Sequence, residues 1–434
     1  MLAAACGDDD DGDGASEEPA DTTASTEAPD DGDDGDAGAL AGMKGTTPLV
    51  DLSDDFKDRL LGMDPDLSDF NYAAESYDAT IIIALATAKA GGDGIEMANE
   101  INGITREGEK CDSFESCLAI IDAGGDPDYD GASGPMEFSG NGEPTVASYG
   151  VLTFGDDNRI DDSITDFVVA NAPAEADVPQ QAPEGNRAGD GELKIGTLLP
   201  ETGNLAFLGP PEFAGVDLAA EEINAAGGVL GKPVAIDHGD SGDTTTDIAN
   251  QTVDRLLAAN VDAIIGAASS GVSATVIDKI TAAGVVQFSP ANTSKTFSTY
   301  ADKGLYFRNA PSDILQGAVL AEVIAGDGHT TVGILALDDP YGTGLAEDLT
   351  SSLSDSGVEV VESIIYDPAA QTFDAQVQDI VSADPEAIVI IGFDESSRIL
   401  AGLVEQGHGP ADKAIYGVDG NMGNALGENF DAGE

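Results

Sequence analysis

The chain has 434 residues, with 82 acidic side chains against 17 basic ones and a formal net charge of −65. A surplus of that size argues against nucleic acid and against anionic lipid surfaces as partners. No apolar run reaches the ~18 residues of a membrane-spanning helix, and roughly 375 residues outside tails and linkers exceed one small core, so two lobes are expected.

The acids begin early. Met1-Leu2-Ala3-Ala4-Ala5-Cys6 runs small residues into a cysteine followed by an acidic tract, similar to a bacterial lipoprotein cleavage site with Cys6 lipidated. Leu2 stands one position further from the cysteine than usual, and a basic n-region and apolar h-region do not precede it. A chance alanine-rich N-terminus is the alternative. Asp8–Asp36 then holds fourteen acids among Gly, Ser, Thr, Ala and Pro, with no Lys or Arg. Such a segment cannot bury enough apolar surface to offset ordering entropy, so residues 1–37 read as a disordered tether. The remaining surplus fits an exported protein adapted to salt, where the Debye length shortens to ~3 Å near 1 M, or plain solubility.

Residues 38–170 start as if in mid-sheet, at Ala39-Leu40-Ala41-Gly42-Met43-Lys44-Gly45, and are mostly helical thereafter. Phe70–Lys89 reads as the longest helix, with Tyr77, Ile81 and Leu85 on its buried side. Shorter helices follow near Gly94–Ile101 and Ser113–Asp122. A strand Pro135–Phe138, a turn Gly140-Asn141-Gly142-Glu143-Pro144 and a strand Val146–Phe154 end the block. Cys111 and Cys117 are spaced to close a short loop disulfide in an oxidising compartment. Residues 171–191, rich in Ala, Pro, Gln and Asp, form a linker that reaches ~70 Å extended or ~25 Å as a coil.

From Glu192 strands and helices alternate. Val234–Ile236, Ala263–Ile265, Val285–Phe288, Val332–Leu337, Val358–Ile365 and Ala387–Ile391 are apolar runs of buried-strand length. Between them, helical stripes fall at Phe213, Val216, Ala220 and Ile223, at Leu345, Leu349 and Leu353, and at Phe373, Val377, Ile380 and Val381. Gly227-Gly228, Gly357 and Asp384-Pro385 end these helices. Strands separated by such helices imply parallel sheets flanked by helices, an α/β fold.

Four stretches resemble type I periplasmic substrate-binding proteins of ABC importers, in the leucine/isoleucine/valine-binding branch. They are Leu198-Leu199-Pro200-Glu201-Thr202-Gly203 with Gly209, Gly266-Ala267-Ala268-Ser269-Ser270, Ser289-Pro290-Ala291-Asn292-Thr293, and Asp338-Asp339-Pro340-Tyr341-Gly342. The later Gly417-Val418-Asp419-Gly420-Asn421 also matches. The resemblance implies two lobes, about 192–310 and 311–434, each a parallel sheet flanked by helices. The family's C-terminal portion resembles residues 38–170, including Tyr72-Ala73-Ala74-Glu75-Ser76-Tyr77-Asp78-Ala79 and Gly134-Pro135-Met136-Glu137-Phe138. The two portions therefore stand in swapped, circularly permuted order. If the swap is real, Gly38 and Glu434 are neighbours in space, and Met43–Leu49 pairs with the sheet holding Ala387–Ile391 and Ala414–Gly417. A tandem or assembly-derived fusion unable to form a complete receptor is the alternative.

The resemblance also implies a ligand cleft between the lobes. Ser269-Ser270 and Asn292-Thr293 each follow a buried strand and precede a helix, at the carboxyl edge where open α/β sheets bind ligands. Hydroxyls and helix-terminal N–H groups there suit a carboxylate. Ser270, Thr293 and the Ala291 backbone would take it, Asp419 would take an α-ammonium, Tyr341 would cover the ligand, and Phe393-Asp394 would sit nearby. Ser and Thr before a helix also serve as N-caps, and Asp419 before Gly420 also suits a turn. Leu208 stands where an aromatic usually lines the pocket. The expected protein is a lipid-anchored, extracytoplasmic solute receptor that closes around a small amino acid or amide and docks on an ABC permease, with no catalysis and no cofactor. A ligand-sensing receptor domain is the runner-up.

Two other motifs carry less. Asp126, Asp128, Asp130, Gly131 and Glu137 satisfy a calcium-loop pattern, but the strand and turn expected after them do not supply the exiting helix; no metal is expected. Gly239-Asp240-Ser241-Gly242 is similar to a serine-protease nucleophile loop, yet His238 is too near in sequence to act as the remote base.

Overall fold

The computed structural model describes residues 38–172 and 178–430. Residues 1–37, where the sequence reading expects a tether and a lipidated Cys6, and Glu434 lie outside the described residues. The first block runs β1 (Lys44–Pro48), α1 (Asp54–Met63), α2 (Ala73–Ala90), α3 (Ile101–Ile104), β2 (Glu109–Cys111), α4 (Phe114–Asp122), β3 (Pro127–Tyr129), β4 (Val146–Thr153) and β5 (Asp166–Asn171). The second begins β6 (Lys194–Leu198), α5 (Gly209–Ala225), β7 (Ala235–Asp237), α6 (Ile248–Ala258), β8 (Ala263–Gly266), α7 (Ser270–Ala282), β9 (Val286–Ser289) and β10 (Tyr306–Arg308). It ends α8 (Asp313–Gly326), β11 (Thr331–Leu337), α9 (Pro340–Asp355), β12 (Glu359–Tyr366), α10 (Asp374–Ala383), β13 (Ala387–Ile391), α11 (Ser396–Glu405), β14 (Ala414–Val418) and α12 (Asn424–Glu428).

Two large sheets organise the molecule. The first lobe holds five parallel strands in the order β10-β9-β8-β6-β7. One face packs α2 and α5 through Ile81, Leu85, Val216 and Ile223. The other packs α6 and α7 through Val253, Leu256, Val276 and Ile280. The second lobe holds seven strands in the order β12-β11-β13-β14-β1-β4-β5, its core filled by Ile334, Leu345, Leu349, Ile380, Ile390 and Leu400. This is the type I binding-protein architecture, an α/β fold of two lobes whose helix-flanked sheets are parallel except at the β4–β5 edge of the second, which runs antiparallel.

Both blocks contribute to both lobes. β1 lies parallel to β14, in the register Lys44↔Tyr416, Gly45↔Gly417 and Thr46↔Val418, and antiparallel to β4 on its other side. The side chain of Asn158 accepts the Leu40 N–H at 3.0 Å and donates to the Phe430 carbonyl at 3.3 Å, so the described ends of the two blocks meet on one amide. In the first lobe, α2 of the first block packs on α5 of the second. A Cβ at Gly215 would come within 2.2 Å of the Ala73 carbonyl oxygen, so glycine sets that spacing.

Three segments join the lobes directly: 49–53 between β1 and α1, 139–145 between β3 and β4, and 309–312 between β10 and α8. Arg308, 1% exposed, donates to Glu143 at 3.0 Å through Nε and 2.5 Å through a terminal nitrogen, pinning two of these crossings together. The Arg308 N–H also bonds the Gly142 carbonyl at 2.9 Å. A buried ion pair of this kind fixes geometry more than it adds net stability.

The structure differs from the sequence reading in places. Pro135–Phe138 is not a strand: only Phe138 bridges, to Pro144. Pro135 has no N–H to give a ladder, and Glu137 has a positive φ of 42°, which breaks the extended run. The long helix starts at Ala73 rather than Phe70, because Tyr72 is left-handed at φ 59°. The Gly94–Ile101 helix is a 3-10 turn, Ile95–Asn99, followed by α3. Cys111 and Cys117 form a disulfide that ties β2 to α4.

Candidate functional site

Ser269, Ser270, Ala291, Thr293, Tyr341, Phe393 and Asp419 all line one narrow cavity between the lobes, together with Tyr72, Leu205, Leu208, Ala268 and Gly420, with a cavity volume of about 20 Å³. The first-lobe wall follows from strand ends. β8 stops at Gly266 (φ 121°), where a Cβ would lie 2.1 Å from the Leu198 carbonyl oxygen; only glycine lets the chain turn so tightly into α7. The Ser269 hydroxyl accepts the Val272 N–H at 3.3 Å, so Ser269 caps α7 while bordering the cavity. The Ser270 hydroxyl accepts the Ser294 N–H at 3.3 Å, which leaves its own proton for another acceptor. After β9, the Asn292 amide donates to the Ala267 and Ala268 carbonyls at 3.0 and 2.7 Å, locking the Ala291–Thr293 loop against the Gly266–Ser269 turn.

The opposite wall is acidic. Asp419, 5% exposed, follows β14 and accepts from the Tyr341 hydroxyl at 2.7 Å and the Tyr72 hydroxyl at 2.9 Å. Burial pushes its carboxyl up, and these hydroxyl donors pull it back in part. Tyr341 stacks on Phe393 at 5.4 Å between ring centres with planes 7° apart, forming an aromatic lid on the second lobe. Behind Asp419, Asp313 at the start of α8 is fully buried beside the Thr293 hydroxyl and the Asp419 carboxyl. Burial first, and the neighbouring Asp419 second, drive its carboxyl well above the usual range.

Three of these residues escaped the sequence reading. Tyr72 lay inside the Tyr72–Ala79 run, but its left-handed backbone, which aims the ring across the cleft, leaves no mark in composition. Asp313 and Gln316 share a helix face by their i, i+3 spacing; Gln316 bonds the Thr46 carbonyl at 3.0 Å. The missing aromatic at Leu208 has a neighbour in compensation. Phe207, one residue earlier, lines an adjoining cavity of about 90 Å³ with Asn204, Phe393, Asp394, Gly423 and Leu426.

A second acidic pair lies one turn beneath the floor. Glu75 follows Tyr72 on α2, and Glu212 follows Leu208 on α5; both are buried, and both oxygens of Glu212 lack partners. Burial, helped by Asp78, pushes Glu75 up to about 8. Burial, helped by Glu75, drives Glu212 well above its ordinary value.

The lobes are closed on each other. Ser294 donates to the Pro340 carbonyl at 2.8 Å, and the Asp394 N–H reaches the Asn204 carbonyl at 3.2 Å. Lys295 bridges to Asp348 at 2.8 Å and Glu347 at 3.1 Å on α9. The Asn424 amide nitrogen meets Asp69 at 2.9 Å.

The discounted motifs resolve in physical terms. Lys110 places its ammonium 3.1 Å from Asp128, 3.0 Å from Asp130 and 3.3 Å from Glu137, standing where a cation would. Among the described residues no group of three or more His, Cys, Asp and Glu side chains is set to hold a metal. Ser241 donates to the Gly242 carbonyl, while His238 bonds Thr197 and Asp217, so the two form no nucleophile–base pair. Among the described residues no helix is long and apolar enough to cross a membrane.

Comparison with known proteins bears on this geometry. A family model described as periplasmic binding protein matches residues 192–433. The chain is similar to the chemotactic signal transduction system substrate-binding protein BasB of Halobacterium salinarum, with 30% identity over 49% of this chain and 52% of that protein. It is also similar to Leu/Ile/Val-binding protein homolog 7 of Brucella abortus, with 27% identity over 53% of this chain and 59% of that one. The chain thus spans a little over half the length of these curated relatives. Among solved structures, a periplasmic binding protein type 1 from Bordetella pertussis Tohama I superposes with a TM-score of 0.50 and 26% identity, over 55% of this chain and 65% of that one.

Proposed function

We propose, from the premise that this chain belongs to the periplasmic binding protein family, that it is the extracytoplasmic solute-binding component of an ABC importer and closes its lobes around a small amino acid or amide. One observation carries the reading: Ser270, Ala291 and Thr293 of one lobe line the same narrow cavity as Asp419 of the other. Donors opposite a carboxylate match a zwitterion, whose carboxylate meets the first wall and whose ammonium meets Asp419. Leu205, Leu208 and Phe393 then surround the side chain. Closure is a hinge motion in which the ligand stabilises the closed form by touching both lobes.

We further infer that residues 192–430 and 38–172 are the two portions of one such fold in permuted order. The parallel pairing of β14 with β1, and the Asn158 amide shared by Leu40 and Phe430, support it. A lipid anchor on Cys6, with the acidic segment as tether, completes the proposal.

Calorimetry against branched-chain and small polar amino acids, amides and urea tests the solute reading. One tight binder is expected, lost in the Ser270→Ala, Thr293→Val double variant; retained affinity there overturns the site. A gene rebuilt with 192–434 ahead of 38–170 should yield the same fold and affinity, and loss of either overturns the permutation. Cys6→Ser should release the protein from membranes. A sensory role is the second reading, favoured by the similarity to the chemotaxis-system protein BasB. Co-purification with a chemotaxis transducer rather than a permease would select it.

A further inference from the structure

Asp313 opens α8 at the exit of the 309–312 crossing, where it touches both walls of the cleft. Its N–H bonds the Thr293 carbonyl at 2.8 Å. Its carboxyl lies beside the Thr293 hydroxyl of the first lobe and the Asp419 carboxyl of the second. One turn further along α8, the Gln316 amide donates to the Thr46 carbonyl at 3.0 Å, and its side chain also bonds Asp419. Burial first, then Asp313 and Asp419, raise the Tyr149 hydroxyl well above its ordinary range, so both carboxyls act on one ring of β4. Asp313 and Asp419 are both buried, Asp313 completely.

Among the described residues no cation is bonded to this pair. Arg308 of β10 lies within electrostatic reach of Asp313, but its N–H groups are engaged elsewhere. Nε and one terminal nitrogen bond Glu143 at 3.0 and 2.5 Å, and that nitrogen also bonds the Ser298 hydroxyl at 3.0 Å. The other terminal nitrogen donates to the Asn292 and Ser294 carbonyls at 3.0 and 2.9 Å, which accounts for the whole donor set of a guanidinium. Lys295 is held by Asp348 and Glu347. Tyr72, Tyr341 and Tyr149 face the pair as hydroxyls, while Asp348 on α9 and Glu75 behind Tyr72 on α2 add only further carboxyls. Two carboxyls side by side in a dry interior resist ionising together, and one proton shared between them removes the repulsion.

We propose that Asp313 is a positioning residue of the solute site: it shares one proton with Asp419 at the back of the cleft, and the ammonium of a bound amino acid displaces that proton to solvent. The inference rests on the solute reading for the identity of the displacing group. The exchange balances. The pair goes from one proton to none, the ammonium keeps its three, and the released proton passes to buffer. The incoming cation takes over the neutralising role of the proton, so Asp419 carries its full charge only when a solute arrives. A neutral amide leaves the proton in place. Zwitterion affinity therefore strengthens as pH rises, by up to about tenfold per unit while the free pair still holds its proton.

Two measurements test it. The infrared difference between wild type and Asp313→Asn, both ligand-free at neutral pH, should show the loss of a protonated-carboxyl stretch. No such loss overturns the shared proton, whatever the cleft binds. Calorimetry with L-leucine and L-alanine, each in phosphate and in HEPES, reads the displaced proton. The wild-type binding enthalpy should differ between the buffers by their difference in ionisation heat, equivalent to about one proton released. The difference should vanish in Asp313→Asn and return in Asp313→Glu. Binding with the same heat in both buffers overturns this proposal and leaves the solute reading standing. No heat from any amino acid overturns the solute reading, and the displacement with it. Should Asp313→Asn fail to fold, the wild-type comparison of buffers decides by itself.

Discussion

At the scale of single residues, the cleft depends on a carboxylate that two tyrosines keep receptive. Tyr72→Phe removes one donor to Asp419, and a hydrogen bond to a charged group contributes ~1.5–3 kcal/mol. Solute affinity should fall about tenfold or more by calorimetry, with the fold intact by circular dichroism. Asp419→Asn keeps an acceptor for the tyrosines but removes the charge, so binding of a zwitterion should vanish while binding of a neutral amide survives. Glu75 supplies a pH signature. Its folded carboxyl, pushed up to about 8, holds a proton that the unfolded chain releases near the ordinary 4.5. Its stabilising contribution is therefore full below about 4.5 and is lost as pH rises through 8, approaching a slope of about 1.4 kcal/mol per pH unit. Glu75→Gln removes this slope, so the Tm of the variant should gain on the wild type between pH 5 and 8. Parallel Tm curves would refute it. Of these residues only Asp419 was named from the sequence, through the resemblance of Gly417-Val418-Asp419-Gly420-Asn421 to the binding-protein family. Tyr72 and Glu75 were hidden by a left-handed backbone and by burial under a helix end, neither of which leaves a residue pattern.

Elements fared according to how much of their environment is local. β8 and β9, with the Ser269–Ser270 and Ala291–Thr293 loops after them, were readable because a buried strand, a polar turn and a helix follow one another in sequence. β5 was not. Its one described ladder partner is β4, its exposed Phe167 and Val169 point away from α8, and its sequence grades into the linker. The 3-10 turn Lys295–Thr299 carries a prediction at this scale. Lys295 crosses the cleft mouth to α9, but it is half exposed and salt screens such pairs, so the contribution is ~0–1 kcal/mol. Lys295→Ala should weaken solute binding by no more than about fivefold at low salt. The difference should fade in molar salt, where calorimetry would find equal affinities.

At the scale of the whole molecule, a net charge of −65 repels itself most strongly in the compact state. Thermal unfolding should move to higher temperature between about 0.1 and 2 M sodium chloride as screening sets in; a flat Tm would leave the acidity to solubility alone. The seam between β14 and β1 has a further consequence, one of time rather than of shape. Lys44 pairs with Tyr416, so the ribosome makes β1 long before its parallel neighbour exists. Until then β1 presents an open backbone edge, the kind of surface that recruits foreign strands. The second lobe must be the last part to fold, through contacts of very long sequence separation, which are slow to form. A nascent chain arrested before residue 410 should hold a protease-sensitive second lobe, and chaperone dependence should concentrate in that interval of synthesis.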